Sequence, residues 1–334
     1  MPGIVRKTNT KYNNFMSLLK IKNLKIAFNI DKHCFEAVHG INFSLDEGEA
    51  IGIVGESGCG KSLTAYSIMK LLPSNSIIKS GEIIYNNKDI LKLSERELRK
   101  IRGEQIALIP QDPMTSLNPL YTIGEQILEA VELHSEYKGQ KAKEIVIQAL
   151  KDVRIPDAEN KYNAYPHQLS GGMRQRAIIA MALSCNSKLL IADEPTTALD
   201  VTVQAQILSL IKNIQKERNL SLILISHDLG VVFNVCDKVA VMYSGSIIEQ
   251  APTEELFKYP KHPYTKALLS AINPDKSSDM DIPEGQPPAL NDIINGCKFH
   301  PRCKYKTPVC NEKIPNLEKI GDYHQIACFN FNKY

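Results

Sequence analysis

The sequence lacks the features that would mark a membrane-spanning, secreted or nucleic-acid-binding chain. No apolar run in its 334 residues approaches the ~20 residues of a membrane helix, and it shows no signal peptide. The net charge is only +3 and the basic residues are dispersed, which disfavours nucleic acid as a partner. The sequence also has no internal repeat. We therefore expect an intracellular chain of one large or two smaller domains that meets a membrane only through partner proteins.

A glycine-rich octapeptide, GESGCGKS, follows a short apolar run. Residues 50–54 (AIGIV) predict a buried strand and residues 61–72 predict a helix, which is the setting of a phosphate-binding P-loop. Backbone N–H groups of such a loop cradle a polyphosphate. We predict that Lys61 reaches the β- and γ-phosphates and that the Ser62 hydroxyl ligates Mg²⁺. The predicted ATP-binding residues of this loop are Gly55, Glu56, Ser57, Gly58, Cys59, Gly60, Lys61, Ser62 and Leu63.

A second buried-strand pattern ends in two adjacent acids. The run at 189–192 (LLIA) precedes Asp193 and Glu194. An acid at the strand end can hold the Mg²⁺ shell, which we assign to Asp193. The next acid projects toward the γ-phosphate, so we predict that Glu194 polarises the attacking water.

Two further polar residues follow strand-like runs. His227 comes after 221–225 (SLILI), and Gln111 comes after 106–109. We expect His227 to contact the γ-phosphate and to orient the water. We expect Gln111 to ligate both Mg²⁺ and that water.

A second glycine-rich turn, LSGGM at 169–173, lies just before the acidic strand and opens another predicted helix. With these motifs in this order, residues 17 to about 255 resemble the ATP-binding subunits of ABC transporters. The resemblance implies an α/β P-loop NTPase fold with a helical insert at about 122–170. It also implies an ATPase that closes two subunits around ATP.

The same resemblance implies roles for residues outside the P-loop. Ser170, Gly171 and Gly172 would bind the γ-phosphate of ATP held by the opposite subunit. Asp200 matches a loop that crosses the dimer interface. An aromatic residue ahead of the P-loop would stack on adenine; Phe28 is our choice and Phe35 is its competitor.

A narrower resemblance concerns the transported substrate. The segments KHPYTKALLSAINP (261–274) and DPMTSLNPLYTIG after Gln111 resemble ATPases of oligopeptide, dipeptide and nickel importers. The resemblance implies two membrane permeases, an extracytoplasmic substrate-binding protein, a second and distinct ATPase, and a position at the cytoplasmic face of the membrane. Peptides are the expected substrate and nickel or metal chelates the alternative. A soluble ABC ATPase without a permease is a further alternative, although the long heptad arms of repair clamps and the two cassettes of translation factors are absent.

Four of the eight cysteines cluster near the carboxyl terminus with the spacing C-x5-C-x6-C-x17-C. They are Cys297, Cys303, Cys310 and Cys328. This spacing lacks the paired C-x2-C knuckles of structural zinc, and four thiolates could hold a [4Fe–4S] cluster. Zinc, free thiols and disulfides remain open from spacing alone, while the resemblance to importer tails implies the cluster. His300 and His324 are substitute ligands or surface residues, and a redox-sensing tail is an alternative role.

The organisation expected from the sequence has three parts. Residues 1–16 form an amino-terminal extension, residues 17–255 form the ATPase domain, and residues 256–334 form an importer-type region with the cysteine cluster.

Overall fold

The computed structural model describes residues 17–197, 199–272 and 283–332. The extension expected at residues 1–16 therefore lies outside the described residues. The strands, in chain order, are β1 (Leu19–Ile30), β2 (His33–Leu45), β3 (Ala50–Val54), β4 (Ser76–Tyr85), β5 (Lys88–Asp89), β6 (Ile106–Ile109), β7 (Leu189–Asp193), β8 (Ser221–Ser226), β9 (Lys238–Tyr243), β10 (Ser246–Pro252), β11 (Glu318–Lys319) and β12 (Gln325–Ile326).

The helices alternate with these strands through the central part of the chain. They are α1 (Lys61–Ile68), α2 (Glu95–Ile101), α3 (Pro113–Ser116), α4 (Ile123–His134), α5 (Gly139–Asp152), α6 (Ala158–Lys161), α7 (Gly171–Leu183), α8 (Val201–Glu217), α9 (Leu229–Val235), α10 (Thr253–Lys258), α11 (Pro263–Ile272) and α12 (Pro308–Glu312). No helix of the described ranges is long and apolar enough to cross a membrane.

The large sheet has the strand order β11-β12-β10-β9-β3-β8-β7-β6. The five neighbouring strands β9, β3, β8, β7 and β6 run parallel, and they are almost continuously apolar because both faces are covered. The carboxyl ends of parallel strands lie at one edge of a sheet, which is where ligands bind in such folds. This edge carries the P-loop after β3, Asp193 at the end of β7, and His227 after β8.

Two apolar cores lie on opposite faces of the large sheet. One contains Ile51 and Ile53 together with the small antiparallel sheet β2-β1-β4-β5. The other contains Ala50 and Val54 together with helices α4, α5 and α7. Successive residues of β3 thus face different cores, since strand side chains alternate. The large sheet is the middle of three layers.

Residues 122–170, expected as a helical insert, contain α4, α5, α6 and a short 3₁₀ turn. Thr122 caps α4: its hydroxyl accepts the Glu125 N–H at 3.2 Å, and the Glu125 carboxylate accepts the Thr122 N–H at 2.7 Å. This reciprocal pair satisfies two helix-end donors. The insert then leads directly into α7, whose start is the LSGGM turn.

The carboxyl-terminal residues 283–332 join the large sheet. Strand β12 pairs antiparallel with β10, and β11 pairs with β12. The Ala327 N–H also donates to the Ile248 carbonyl at 2.8 Å. The cysteine-bearing segment, which we call the tail (283–332), is therefore fixed to the same sheet that positions the P-loop.

Candidate active site

The P-loop and the acidic strand meet through a hydrogen bond. Ser62, on the first turn of α1, donates its hydroxyl to Asp193 Oδ1 at 3.0 Å. Asp193 is fully buried, and its Oδ2 has no hydrogen-bond partner among the described residues. Burial raises the pKa of Asp193, and the Ser62 hydrogen bond opposes that rise. A hard divalent cation bound by oxygen ligands would supply the partner that this buried oxygen lacks.

Lys61 is buried and turned toward its own loop. Its Nζ donates to the Gly55 carbonyl at 2.8 Å and to the Glu56 carbonyl at 3.0 Å. Gly60, the N-cap of α1, has φ 99°, a left-handed conformation that glycine adopts without strain. The ammonium therefore lies inside the loop, held by neutral acceptors that an anionic phosphate can replace.

Three polar side chains converge on Glu194. Its Oε2 accepts from Gln111 Nε2 at 3.3 Å and from the Thr197 hydroxyl at 3.0 Å, and it lies 3.3 Å from His227 Nδ1. Glu194 itself has φ 44°, an uncommon conformation for a residue with a side chain, and such strain clusters at functional sites. The structure thus brings Gln111, Glu194 and His227 together, as the sequence pattern predicted for one site.

Thr197 is a member of this group that the sequence pattern missed. Its spacing of three residues from Glu194 was the available signal, because a tight turn brings a hydroxyl back to the preceding carboxylate. The Thr197 N–H also donates to the Glu194 carbonyl at 3.1 Å.

The LSGGM turn opens α7 and presents its helix N-terminus. Ser170 is the N-cap, and its hydroxyl accepts the Met173 N–H at 3.3 Å. Gly171 and Gly172 form the first turn of α7. Among the described residues no hydrogen bond joins this turn to the P-loop. Asp200 caps α8 in the same way, accepting the Val203 N–H at 2.9 Å.

Phe28 and Phe35, the two candidates for adenine stacking, are direct cross-strand partners in the β1–β2 pair. Residues opposite each other in an antiparallel pair share one face of the sheet, so both rings lie on the same side. Phe35 lines a cavity of about 320 Å³ together with Leu290 and Asn291 of the tail. The structure therefore places the two aromatic residues as neighbours and does not separate their roles.

A groove of about 380 Å³ lies beside the P-loop, and the tail forms one of its walls. Its floor is the outer side of the loop, and its opposite wall comes from β2. The lining residues are Glu36, Ala37, His39, Glu56, Ser57, Gly58, Cys59, Tyr243, Ser244, Gly245, Pro287, Pro288, Ala289, Leu290, Asp292 and Lys298.

The four clustered cysteines line one cavity. Cys297, Cys303, Cys310 and Cys328 surround a void of about 10 Å³, with His300 at its wall. Burial, with the neighbouring cysteines adding to it, raises the pKa of Cys297 to about 11. The void has room for about one water molecule. Within the described ranges, no group of three or more His, Cys, Asp or Glu is arranged to hold a metal ion.

His324 is neither a surface residue nor a ligand of this cavity, which corrects both alternatives given for it. It is 1% exposed. Its Nε2 lies 2.8 Å from Glu249 Oε1 and its Nδ1 lies 2.9 Å from Glu255 Oε1. Both ring nitrogens are therefore engaged by carboxylates, and none is left for a metal.

Two family models match the chain. The model described as "ABC transporter" matches residues 38–197, and "Oligopeptide/dipeptide transporter, C-terminal region" matches residues 248–310. The two matches fall on the parts of the chain that carry the P-loop and the tail. They confirm the resemblance indicated by the order of motifs.

Known proteins and solved structures agree with these matches. The chain is 48% identical over 321 residues to a probable peptide ABC transporter ATP-binding protein of Sinorhizobium fredii, covering 95% of this chain and 96% of the relative. It is 47% identical over 313 residues to the oligopeptide transport ATP-binding protein OppD of Bacillus subtilis, covering 92% and 87%. The dimeric post-hydrolysis structure of the ATP-binding cassette MJ0796 with ADP and Pi matches with a TM-score of 0.64 and 27% identity, over 70% of this chain and 98% of that one. The predicted α/β P-loop fold is thereby confirmed.

Proposed function

The chain belongs to the family of ABC transporter ATP-binding proteins that carry the oligopeptide/dipeptide transporter C-terminal region, and we propose that it energises peptide uptake across the cytoplasmic membrane. As a member of this family it is an ATPase. The observation that carries the proposal is the group of Gln111, Thr197 and His227 around Glu194, beside the Ser62–Asp193 hydrogen bond. The support for peptides is that relatives at 46–48% identity are named for peptide, oligopeptide or dipeptide transport.

In the proposed mechanism, the residues of the P-loop hold the nucleotide. Lys61 exchanges its two loop carbonyls for the β- and γ-phosphates, which it binds more strongly because they are charged. Ser62, Asp193 and Gln111 would hold Mg²⁺, which neutralises phosphate charge. Either Phe28 or Phe35 stacks on the adenine.

Glu194 acts on the attacking water. Its carboxylate accepts a proton as the water attacks the γ-phosphate, while His227 and Gln111 hold the water in line. Thr197 fixes the carboxylate through its hydroxyl, at 3.0 Å. Glu194 thus accepts the proton, while His227 and Gln111 position the water and Thr197 positions the carboxylate.

The complete site needs a second subunit. We propose that Ser170, Gly171 and Gly172 bind the γ-phosphate of ATP held by a partner, and that Asp200 lies at the interface. The support is that this helix N-terminus, an anion-binding feature, makes no hydrogen bond to the P-loop of its own chain in the described residues. The partner is proposed to be a distinct ATPase.

Membrane coupling is proposed to go through the segment after Gln111. Met114, Leu120 and Tyr121, which lie close together in the chain, are 61%, 79% and 54% exposed, and a contiguous exposed apolar patch commonly marks a binding site. Two permease subunits and an extracytoplasmic substrate-binding protein would complete the transporter. The chain would then lie peripherally at the cytoplasmic face of the membrane.

The four tail cysteines are proposed to ligate a [4Fe–4S] cluster, with zinc as the alternative. Cys297, Cys303, Cys310 and Cys328 already line a single cavity, and they are soft thiolate donors suited to iron and sulfide. In a cluster each thiolate binds a different iron, so the sulfurs stand further apart than around one zinc. The thiols must move outward to admit it, because the void is about 10 Å³.

Anaerobic purification tests the cluster. Brown protein with about four irons and four sulfides per chain is expected, and Cys303→Ser should lose the colour. Cys185→Ser, which changes a cysteine outside the tail, should keep it. Colourless anaerobic protein that carries one zinc would replace the cluster with a zinc site.

Uptake by cells tests the substrate class. Deletion of the gene should abolish import of labelled di- and oligopeptides, and the wild-type gene should restore it while Glu194→Gln should not. Unchanged peptide import together with lost nickel import would favour the metal-chelate alternative. Loss of neither would favour an ABC ATPase that works without a permease.

A further inference from the structure

The P-loop contains one acid, Glu56, and its side chain does not face open solvent. In GESGCGKS every other side chain is small, neutral or cationic. The Glu56 side chain is 27% exposed. The backbone carbonyl of Glu56 accepts a hydrogen bond from Lys61 Nζ at 3.0 Å. A carboxylate in the loop that must receive a polyphosphate repels that ligand unless a cation neutralises it.

The tail supplies that cation. Arg302 Nη1 donates to Glu56 Oε2 at 2.9 Å and to Oε1 at 3.1 Å. The Arg302 side chain is only 10% exposed, so water screens this ion pair less than it screens a surface pair. Arg302 and Glu56 are 246 residues apart in the chain.

The arginine is itself held in place by contacts to two residues. Its guanidinium lies 5.9 Å from the centre of the Tyr243 ring, its Nη1 donates to the Tyr243 hydroxyl at 3.4 Å, and its Nε donates to the Glu284 carbonyl at 3.3 Å. A guanidinium held this way loses little further freedom when it pairs with a carboxylate.

A second contact fixes the backbone of the same residue. The Glu56 N–H donates to the Tyr264 hydroxyl at 3.0 Å. Tyr264 packs edge-on against Tyr243 and Phe299, with ring centres 4.8 and 5.5 Å away. Phe299 belongs to the tail and lies between two of the cavity cysteines, so the aromatic group connects that segment to the P-loop.

We propose that Arg302 is a positioning residue of the nucleotide site, which neutralises Glu56 and keeps the P-loop open to ATP. The tail is then part of the ATP-binding machinery and does more than extend the sheet. The inference rests on ATP binding by this P-loop. It predicts that removal of the arginine charge weakens nucleotide binding specifically because Glu56 is left unpaired.

The test measures the Kd for a fluorescent ATP analogue with the full chain. Arg302→Met should raise the Kd about tenfold, the scale of a lost charge-assisted hydrogen bond, and Arg302→Lys should retain most of the affinity. The loss should shrink in high salt, since ions screen the unpaired carboxylate. Lys313→Met, which removes an exposed cation from the same tail, is the matched control and should bind normally.

The decisive variant combines Arg302→Met with Glu56→Gln. Removal of the repelling carboxylate should restore the Kd to within about threefold of the wild type. An unchanged Kd for Arg302→Met would overturn the inference, and so would an equal loss with and without Glu56→Gln. Should Arg302→Met not fold, Arg302→Gln takes its place, and the same salt-dependent loss with the same rescue by Glu56→Gln is required for the inference to stand. A wild-type chain that binds no nucleotide would instead contradict the ATPase assignment.

Discussion

Glu194 is the residue on which the proposed chemistry depends most. Glu194→Gln keeps the shape and the hydrogen-bonding length of the side chain, but an amide does not accept the proton of the attacking water. Hydrolysis should therefore fall by about 10² to 10⁴, while ATP binding remains. The rate of phosphate release measures hydrolysis, and the amount of ATP that stays bound to the protein measures binding.

The control for this change is Glu217→Gln, at an exposed position near the end of α8. It alters the charge equally and should hydrolyse ATP at the wild-type rate. Near-normal turnover in Glu194→Gln would remove Glu194 from the mechanism.

Lys61→Ala should act at an earlier step. Before ATP arrives, the ammonium contacts two P-loop carbonyls and the Cys59 sulfur, all of them neutral, so its loss removes a charged contact to the phosphates. The Kd for ATP should rise at least tenfold, measured by titration, whereas Lys216→Ala, at an exposed position of α8, should leave it unchanged. A variant that binds ATP normally and only hydrolyses it slowly would contradict this role.

Single residues show what the sequence could and could not predict. The acids, Gln111 and His227 were predictable because each follows a buried strand, and parallel strands end at one edge. Phe28 and Phe35 were not separable, because a hairpin pairs them. The partners of His324 were also not predictable, since Glu249 and Glu255 lie about 70 residues earlier in the chain.

At the scale of secondary structure, strands made of a continuous apolar run were easier to predict than helix ends and two-residue strands. The apolar runs in the sequence predicted β3, β7 and β8 nearly at the bounds that the structure shows. The helix predicted over residues 61–72 ends at Ile68, because Lys70 takes a left-handed conformation with φ 49° just before Pro73. The two-residue strands β11 and β12 are too short to show periodicity; β12 pairs with the edge of β10, and β11 pairs with β12.

The attachment of the tail to β10 should depend on pH through His324. Burial alone would lower the pKa of this histidine, but hydrogen bonds to Glu249 and Glu255 outweigh burial and raise it. A raised folded-state pKa means that the stabilisation is complete below the unfolded value of about 6.5. It is lost as the pH rises through the folded value.

Thermal unfolding of the wild type and His324→Gln at a series of pH values tests this. At slightly acidic pH the variant should be less stable by about 3 to 5 kcal/mol, because buried Glu249 loses its partner, and the gap should narrow as the pH rises. The comparison cancels other titrating groups, such as His262, whose pKa burial lowers to about 4. A gap that widens with rising pH would contradict the protonated state of His324.

At the scale of the whole molecule, the order of motifs predicted the fold and the family. Those motifs must occupy fixed places around one nucleotide, so their order constrains the topology. The position of the tail was not predictable, because its few apolar residues form no periodic element. Only the structure brings Arg302 to Glu56 and the four cysteines to one cavity.

In the assembled transporter, the ATPase dimer should consist of this chain and a different ATPase. The mass of purified Glu194→Gln protein in the presence of ATP shows whether it dimerises. It should not form a stable homodimer that traps two ATP. The transporter purified from membranes should contain a second ATPase. Lys61→Ala protein is the control, because it should trap no nucleotide at all. A stable homodimer together with a transporter that lacks any second ATPase would contradict the heteromer.

The most direct test of the central claim is ATP hydrolysis by the assembled transporter in lipid. The assembly contains this chain, its partner ATPase, the permeases and the substrate-binding protein, and hydrolysis is measured with and without an added peptide. A peptide should stimulate hydrolysis several-fold, nickel salts should not, and Glu194→Gln in this chain should abolish the stimulated rate. A hydrolysis rate that does not change when a peptide is added, or that is the same in Glu194→Gln, would contradict the account of this chain as a peptide-import ATPase.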